Sequence, residues 1–198
     1  LAKQALANFG GGAVREIEEL WHGLKPPYLD LFAWLDGRVP KPENAAKGLF
    51  RSVMLATPFA DANPDNLDPA DYAAEWKWDG IRVQAISEGG VRRIYSRSGD
   101  DISLTFPDLL DAMDFEAAID GELLVGSPAT GPRSFSDLQQ RLNRKTVSAK
   151  MLKDYPVFVR AYDLLFEGPR DMRELPFPER RERLAALVDT LDPERFDL

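Results

Sequence analysis

From residue 71 onward, paired turn residues cut the chain into short apolar segments, and that rhythm constrains its fold. Residues 73–78, 81–87 and 91–97 alternate or run apolar, with Asp79-Gly80 and Gly89-Gly90 between them. Two-residue turns of this kind join antiparallel neighbours. Further along, strand patterns cover 118–125 and 156–166, the second reading PVFVRAYDLLF. Helical patterns fall between and after them, at FPDLLDAM (106–113), SFSDLQQRLN (134–143, behind a Ser cap) and SAKMLKDY (148–155). Pro176 and Pro178 open a last helix, about 178–191. The expected fold class is α+β, built on an antiparallel sheet.

The first third differs. Val14, Ile17, Leu20, Trp21 and Leu24 recur at helical spacing, which predicts an amphipathic helix over 13–24. Pro26 and Pro27 break it, and Leu29, Leu31, Phe32 and Leu35 mark a second helix over 28–36. Residues 37–70 are rich in Pro, Gly, Asn and Asp and read as a linker. The expected division is therefore 1–60, helices and linker, and 61–198, the sheet-based domain. Gly10-Gly11-Gly12 lacks the Gly-Lys-Ser/Thr of a phosphate loop and reads as a joint. The chain opens on Leu1 and not on Met, and the expectation is an excerpt or a processed product.

Composition narrows the chemistry. The 198 residues contain no cysteine and one histidine, so thiol nucleophiles and disulfides are excluded. His22 stands just before Gly23, where a helix should end, and reads as a helix C-terminal residue. No apolar run approaches the roughly 18 residues of a membrane span, and no signal peptide opens the chain. A net charge of -8 argues against a nucleic-acid partner for the chain as a whole, although a local patch can reverse the average. Catalysis is left to Lys, Asp, Glu, Arg and Tyr, with or without a metal ion.

The segment EWKWDGIRVQ (75–84) is the most informative. Lys77 ends an expected strand, and Asp79-Gly80 turns the chain directly after it. Such a turn projects the amine into whatever pocket the sheet lines. A lysine attacks phosphorus only as the neutral amine, and its reference pKa is about 10.4, so the site must favour that form. Lys-x-Asp-Gly is also how an edge strand ends with a solubilising lysine. The residues downstream of Lys77 decide between the two.

YSRSGDDIS (95–103), IDGELLV (119–125) and VRAYDLLF (159–166) come next, in that order. With EWKWDGIR they resemble the ordered motifs of the covalent nucleotidyltransferases, the superfamily of ATP-dependent DNA ligases, RNA ligases and mRNA capping enzymes. The resemblance covers residues 75–166. Upstream, 14–70, including IEELWHGLKPPY, resembles the end of the helical DNA-binding domain of bacterial ATP-dependent ligases. The resemblance implies Lys77 as the nucleophile that takes AMP from ATP. It implies Glu75 beside the adenine and Arg82 and Arg97 on the ribose and phosphates. Glu122 would bind the ribose hydroxyl or assist a Mg²⁺ ion, and Tyr162 would stack on the adenine where many relatives carry Phe. It further implies nicked double-stranded DNA as substrate, a monomer, and a cytoplasmic, nucleoid-associated enzyme. The alternatives are an RNA ligase or capping-type enzyme, or a catalytically silent DNA-end-binding module. The family's Glu-Gly motif, its Lys-rich motif and an OB-fold domain are expected beyond residue 198.

Residues 139–153, QQRLNRKTVSAKMLK, carry Arg141, Arg144, Lys145, Lys150 and Lys153 and no acid. The run is either a grip on a phosphate backbone or a solvated face.

Overall fold

The computed structural model describes residues 2–42, 46–56, 67–142, 144 and 146–198. Three helices come first: α1 (Ala2–Gly10), α2 (Val14–Trp21) and α3 (Leu29–Leu35). Their apolar faces meet in a cluster of Ala7, Ile17, Leu20, Leu31 and Leu35. The helix α1 was not expected. The glycine run at its end is the joint between α1 and α2, with Gly11 at φ +66.

The remaining elements build the sheet and its cover. They are β1 (Ile81–Glu88), β2 (Val91–Ser96), α4 (Pro107–Asp111), β3 (Ala117–Ser127), β4 (Gly131–Pro132), α5 (Phe135–Gln139) and α6 (Ala149–Asp154), then β5 (Val157–Glu167), β6 (Arg170–Asp171), α7 (Phe177–Val188) and β7 (Phe196–Asp197). Strand order is β2-β1-β3-β5-β6, with β4 on β3 and β7 on β5. Every pairing is antiparallel except β5 with β7, which is parallel. The β1–β2 hairpin turns at Gly89 and Gly90, both at positive φ, as a tight two-residue turn requires. Ser134 and Ser148 cap α5 and α6 by accepting from the N–H groups of Asp137 and Met151.

One face of the sheet is dry. Val83, Ala85, Ile119, Leu123, Val159 and Ala161 meet side chains of α4, α5 and α7 there, including Leu109, Leu138 and Leu184. On the other face Ile86, Tyr95, Ala118 and Leu165 pack with Phe50 and Val53. Part of the stretch read as a linker therefore lies on the sheet. It is fastened by Gln84, whose side chain bonds both the N–H and the carbonyl of Arg51.

Two expectations fail locally. Residues 73–78 form no strand: 72–78 are irregular, and all of 71–77 are exposed. Their alternation fits a strand, but no neighbouring strand takes up their hydrogen bonds. The helix expected over 134–143 stops at Gln139.

Salt bridges join the helical segment to the sheet domain. Arg173 reaches Glu19 of α2 at 2.8 Å and Asp171 of β6 at 2.6 Å, and Arg15 reaches Asp171 at 3.5 Å. Among the described residues no helix is long and apolar enough to cross a membrane.

Candidate active site

The site grows from the start of β1. Trp78 is the one residue between Asp71 and Asp79 that is not exposed. Gly80 then brings the chain against β3 so closely that a Cβ there would lie 2.4 Å from the Leu123 carbonyl oxygen. A glycine is required where backbone approaches backbone this tightly. The Gly80 N–H donates to the Glu122 carboxylate. Lys77, three residues earlier, is exposed and close enough to Glu122 for its charge to act on that carboxylate.

Strand register sets out the rest. Arg82 of β1 lies opposite Glu122 of β3, and Glu122 lies opposite Arg160 of β5. A β-bulge falls between Asp120 and Gly121. Gly121 is pressed on β5, where a Cβ would meet Val159 at 2.6 Å and the Arg160 carbonyl at 2.7 Å. Asp120-Gly121 is thus an irregularity within a strand. The Asp120 side chain is fully buried and takes the Arg82 guanidinium through two hydrogen bonds, at 3.0 and 2.6 Å. Arg82 also donates to the Met54 carbonyl at 2.8 Å. Its guanidinium lies 5.6 Å from the centre of the Tyr162 ring.

These neighbours bias protonation. Burial opposes the charge on Arg82, but the adjoining Asp120 carboxylate outweighs it and lifts the arginine above its ordinary pKa. Burial raises the Glu122 carboxyl, partly offset by the Gly80 N–H and the charges of Arg82 and Lys77. Burial, with the negative charge of Asp120, drives the Tyr162 phenol far upward, so its hydroxyl stays protonated.

Two hollows flank Tyr162. The larger, about 650 Å³, is lined by Tyr72, Glu75, Arg82, Tyr162, Phe177 and Arg180, among others. The smaller, about 190 Å³, shares Glu75 and Tyr162 and adds Trp76, Trp78, Arg160 and Arg181. The structure thus brings Glu75, Arg82 and Tyr162 together, with Lys77 and Glu122 adjoining. Arg97 stands apart, exposed on the Ser96–Asp100 turn and lining neither hollow. Among the described residues no three His, Asp or Glu side chains are grouped to hold a metal ion. Glu122, half-buried and in none of the ion pairs found among the described residues, could supply an oxygen ligand. One carboxylate suffices for a Mg²⁺ ion that takes its other ligands from phosphates and water.

Sequence reasoning missed Asp120, the partner that holds Arg82. Its signal was present, because Asp120 and Glu122 are two apart on a strand. The basic run needs a correction. Arg141 is fully buried, forked onto Asp108 at 3.0 and 2.6 Å and bonded to the carbonyls of Thr105 and Tyr155. It cannot touch DNA, because its charge is spent tying α4 to the segment after α5. Arg144, Lys150 and Lys153 are exposed, with Lys150 paired to Asp154 at 2.6 Å. Lys145 lies outside the described residues. His22 caps the C-terminal end of α2, as expected, and packs against Phe50 with ring centres 5.0 Å apart.

Comparison with known proteins bears on this arrangement. A family described as the ATP dependent DNA ligase domain matches residues 53–197. A probable DNA ligase of Koribacter versatilis is 40% identical over 139 residues, covering 69% of this chain and 23% of that protein. A probable DNA ligase of Streptomyces coelicolor is 37% identical over 120 residues, covering 59% of this chain and 23% of that protein. Among solved structures, the ligase domain of M. tuberculosis LigD aligns at 30% identity with a TM-score of 0.47. That alignment covers 62% of this chain and 37% of that one. The chain spans about a quarter of the length of the curated relatives it matches.

Proposed function

Since the chain belongs to the ATP-dependent DNA ligase domain family, we propose that it carries the lysine-adenylating part of an enzyme that seals nicks in double-stranded DNA. The observation that carries this reading is the exposed Lys77 beside half-buried Glu122, at the edge of a hollow lined by Glu75, Arg82 and Tyr162. In this reading the nucleotide occupies that hollow, with the base against the Tyr162 ring and the phosphates toward Lys77.

The reaction comprises three transfers. The neutral Lys77 amine attacks the α-phosphorus of ATP, forming a P–N bond as the P–O bond to pyrophosphate breaks, and the amine proton passes to solvent. The AMP group then moves to the 5′-phosphate at the nick, forming a pyrophosphate link and freeing Lys77. Last, the 3′-hydroxyl attacks that 5′-phosphate, releasing AMP and closing the strand. A Mg²⁺ ion held by Glu122 and the phosphates would offset the charge that builds on the leaving oxygens. Arg82, fixed by Asp120 and still cationic, orients the ribose and phosphates without rearranging during the step. Residues 1–60 serve in this reading as the end of a DNA-binding domain, and Arg97, which lines neither hollow, is given no contact with the nucleotide.

The test is nick sealing by the full-length protein. ATP should support sealing of a nicked DNA duplex, NAD should not, and a nicked RNA duplex should be a poor substrate. Equal sealing with NAD, or a preference for RNA, contradicts the reading.

A further inference from the structure

The segment that bears Lys77 lies outside the regular elements. Residues 72–78 join no strand, and Lys77 itself is exposed. Trp76 on one side of the lysine is 84% exposed. Trp78 on the other side is the one residue of the stretch that is not exposed. Its ring centre lies 4.1 Å from the Arg160 guanidinium. Arg160 is in turn fixed: Nε donates to both Asp197 carboxylate oxygens at 3.0 and 3.1 Å, and Nη2 donates as well. The Phe158 ring lies 5.5 Å from the same guanidinium. Asp197 belongs to β7, which pairs with β5 beside Arg160. Arg160 also stands opposite Glu122 in the strand register, so one cation is rooted in the row that carries the site.

We infer that Arg160 is a positioning residue for Lys77, acting through Trp78: the guanidinium, clamped by Asp197, is the seat that fixes the lysine over Glu122. The inference rests on the adenylation reading of Lys77. A planar guanidinium suits the role better than an ammonium, because it can stack on an indole while its edge donates to a carboxylate. Arg160 lines the smaller hollow and not the one assigned to the nucleotide, so in this reading it acts through Trp78. Its loss should therefore lower the rate of the chemical step and leave ATP binding largely alone.

The experiment uses the full-length protein and measures lysyl-AMP formation in a single turnover across a range of ATP concentrations. Arg160→Met and Trp78→Ala should each slow the rate at saturating ATP by about tenfold or more, since small misplacements of a nucleophile cost on that scale. The half-saturating ATP concentration should stay within about threefold of wild type. Trp78→Phe, which keeps a ring for the cation, should restore most of the rate. The double variant should be no slower than the slower single one, because both remove one seat. Without ATP, trypsin should cleave after Lys77 faster in Arg160→Met than in wild type. A wild-type rate in a folded Arg160→Met protein, penalties that multiply in the double variant, or a loss confined to half-saturation would each overturn the inference. Should Arg160→Met fail to fold, Trp78→Ala carries the same measurements. A wild-type protein that never labels refutes the adenylation reading instead, and the trypsin comparison then decides whether the seat exists.

Discussion

Single residues divide sharply by what surrounds them. Glu122 is half-buried, accepts from one backbone N–H and has an elevated pKa, so little of the fold depends on it. Glu122→Ala should shift stability by no more than about 1 kcal/mol. Nick sealing by the full-length variant should fall by roughly two orders of magnitude, the scale lost with one well-placed electrostatic group. Melting and sealing on the same preparation check this, and normal sealing would remove Glu122 from the site. Arg141 shows the reverse case. In sequence it is one cation in a basic run. In the fold it is a buried ion pair, because Asp108, thirty-three positions earlier, comes round to meet it. Such a partner leaves no mark at neighbouring positions, which is why its role was not legible. Glu122 and Tyr162 could be given a place along a strand because each falls inside a short motif whose neighbours alternate, whereas Lys77 lies in a segment that joins no strand.

At the scale of elements, the helices and long strands were readable from apolar spacing, while the failures arose where pairing is distant. Residues 73–78 alternate as a strand should, yet alternation cannot supply a partner strand. The pairing of β7 with β5 lies across α7 and was equally hidden. The contact between α2 and the sheet gives a pH prediction. Burial lowers the His22 pKa from its ordinary 6.5, helped by Lys3 and opposed by Glu18 and Asp100. A histidine that resists protonation in the fold contributes fully above that value, and the contribution is lost as pH falls through the depressed one. The thermal midpoint should therefore drop as pH falls below about 6.5, and less steeply in His22→Gln. Parallel curves would show that His22 does not couple to folding. The basic run over 139–153 gives another. With Arg141 excluded, Arg144→Glu with Lys153→Glu should weaken binding to nicked DNA. It should also flatten the log–log salt slope by about one unit per lost phosphate contact, leaving lysine adenylation intact. Unchanged binding at low salt would make the run a solvated face.

On the scale of the whole molecule, an antiparallel sheet with one dry face presents its other face to a polar row, Arg82–Glu122–Arg160, with Lys77 at the row's edge. The α+β class was readable because strands and helices differ in period, and the proposed site residues come from motifs that follow one another in order along the chain. The placing of residues 46–54 on the sheet was not, since a short apolar stretch inside a span rich in turn residues looks the same whether it is loose or fastened by a distant glutamine. The account turns on covalent chemistry at one amine. The most direct measurement incubates the full-length protein with ATP and Mg²⁺ and maps the adduct by peptide mass spectrometry. An added AMP on the peptide bearing Lys77, absent from Lys77→Ala, is the predicted result. Equal labelling of Lys77→Ala, or an adduct on another lysine, would contradict it.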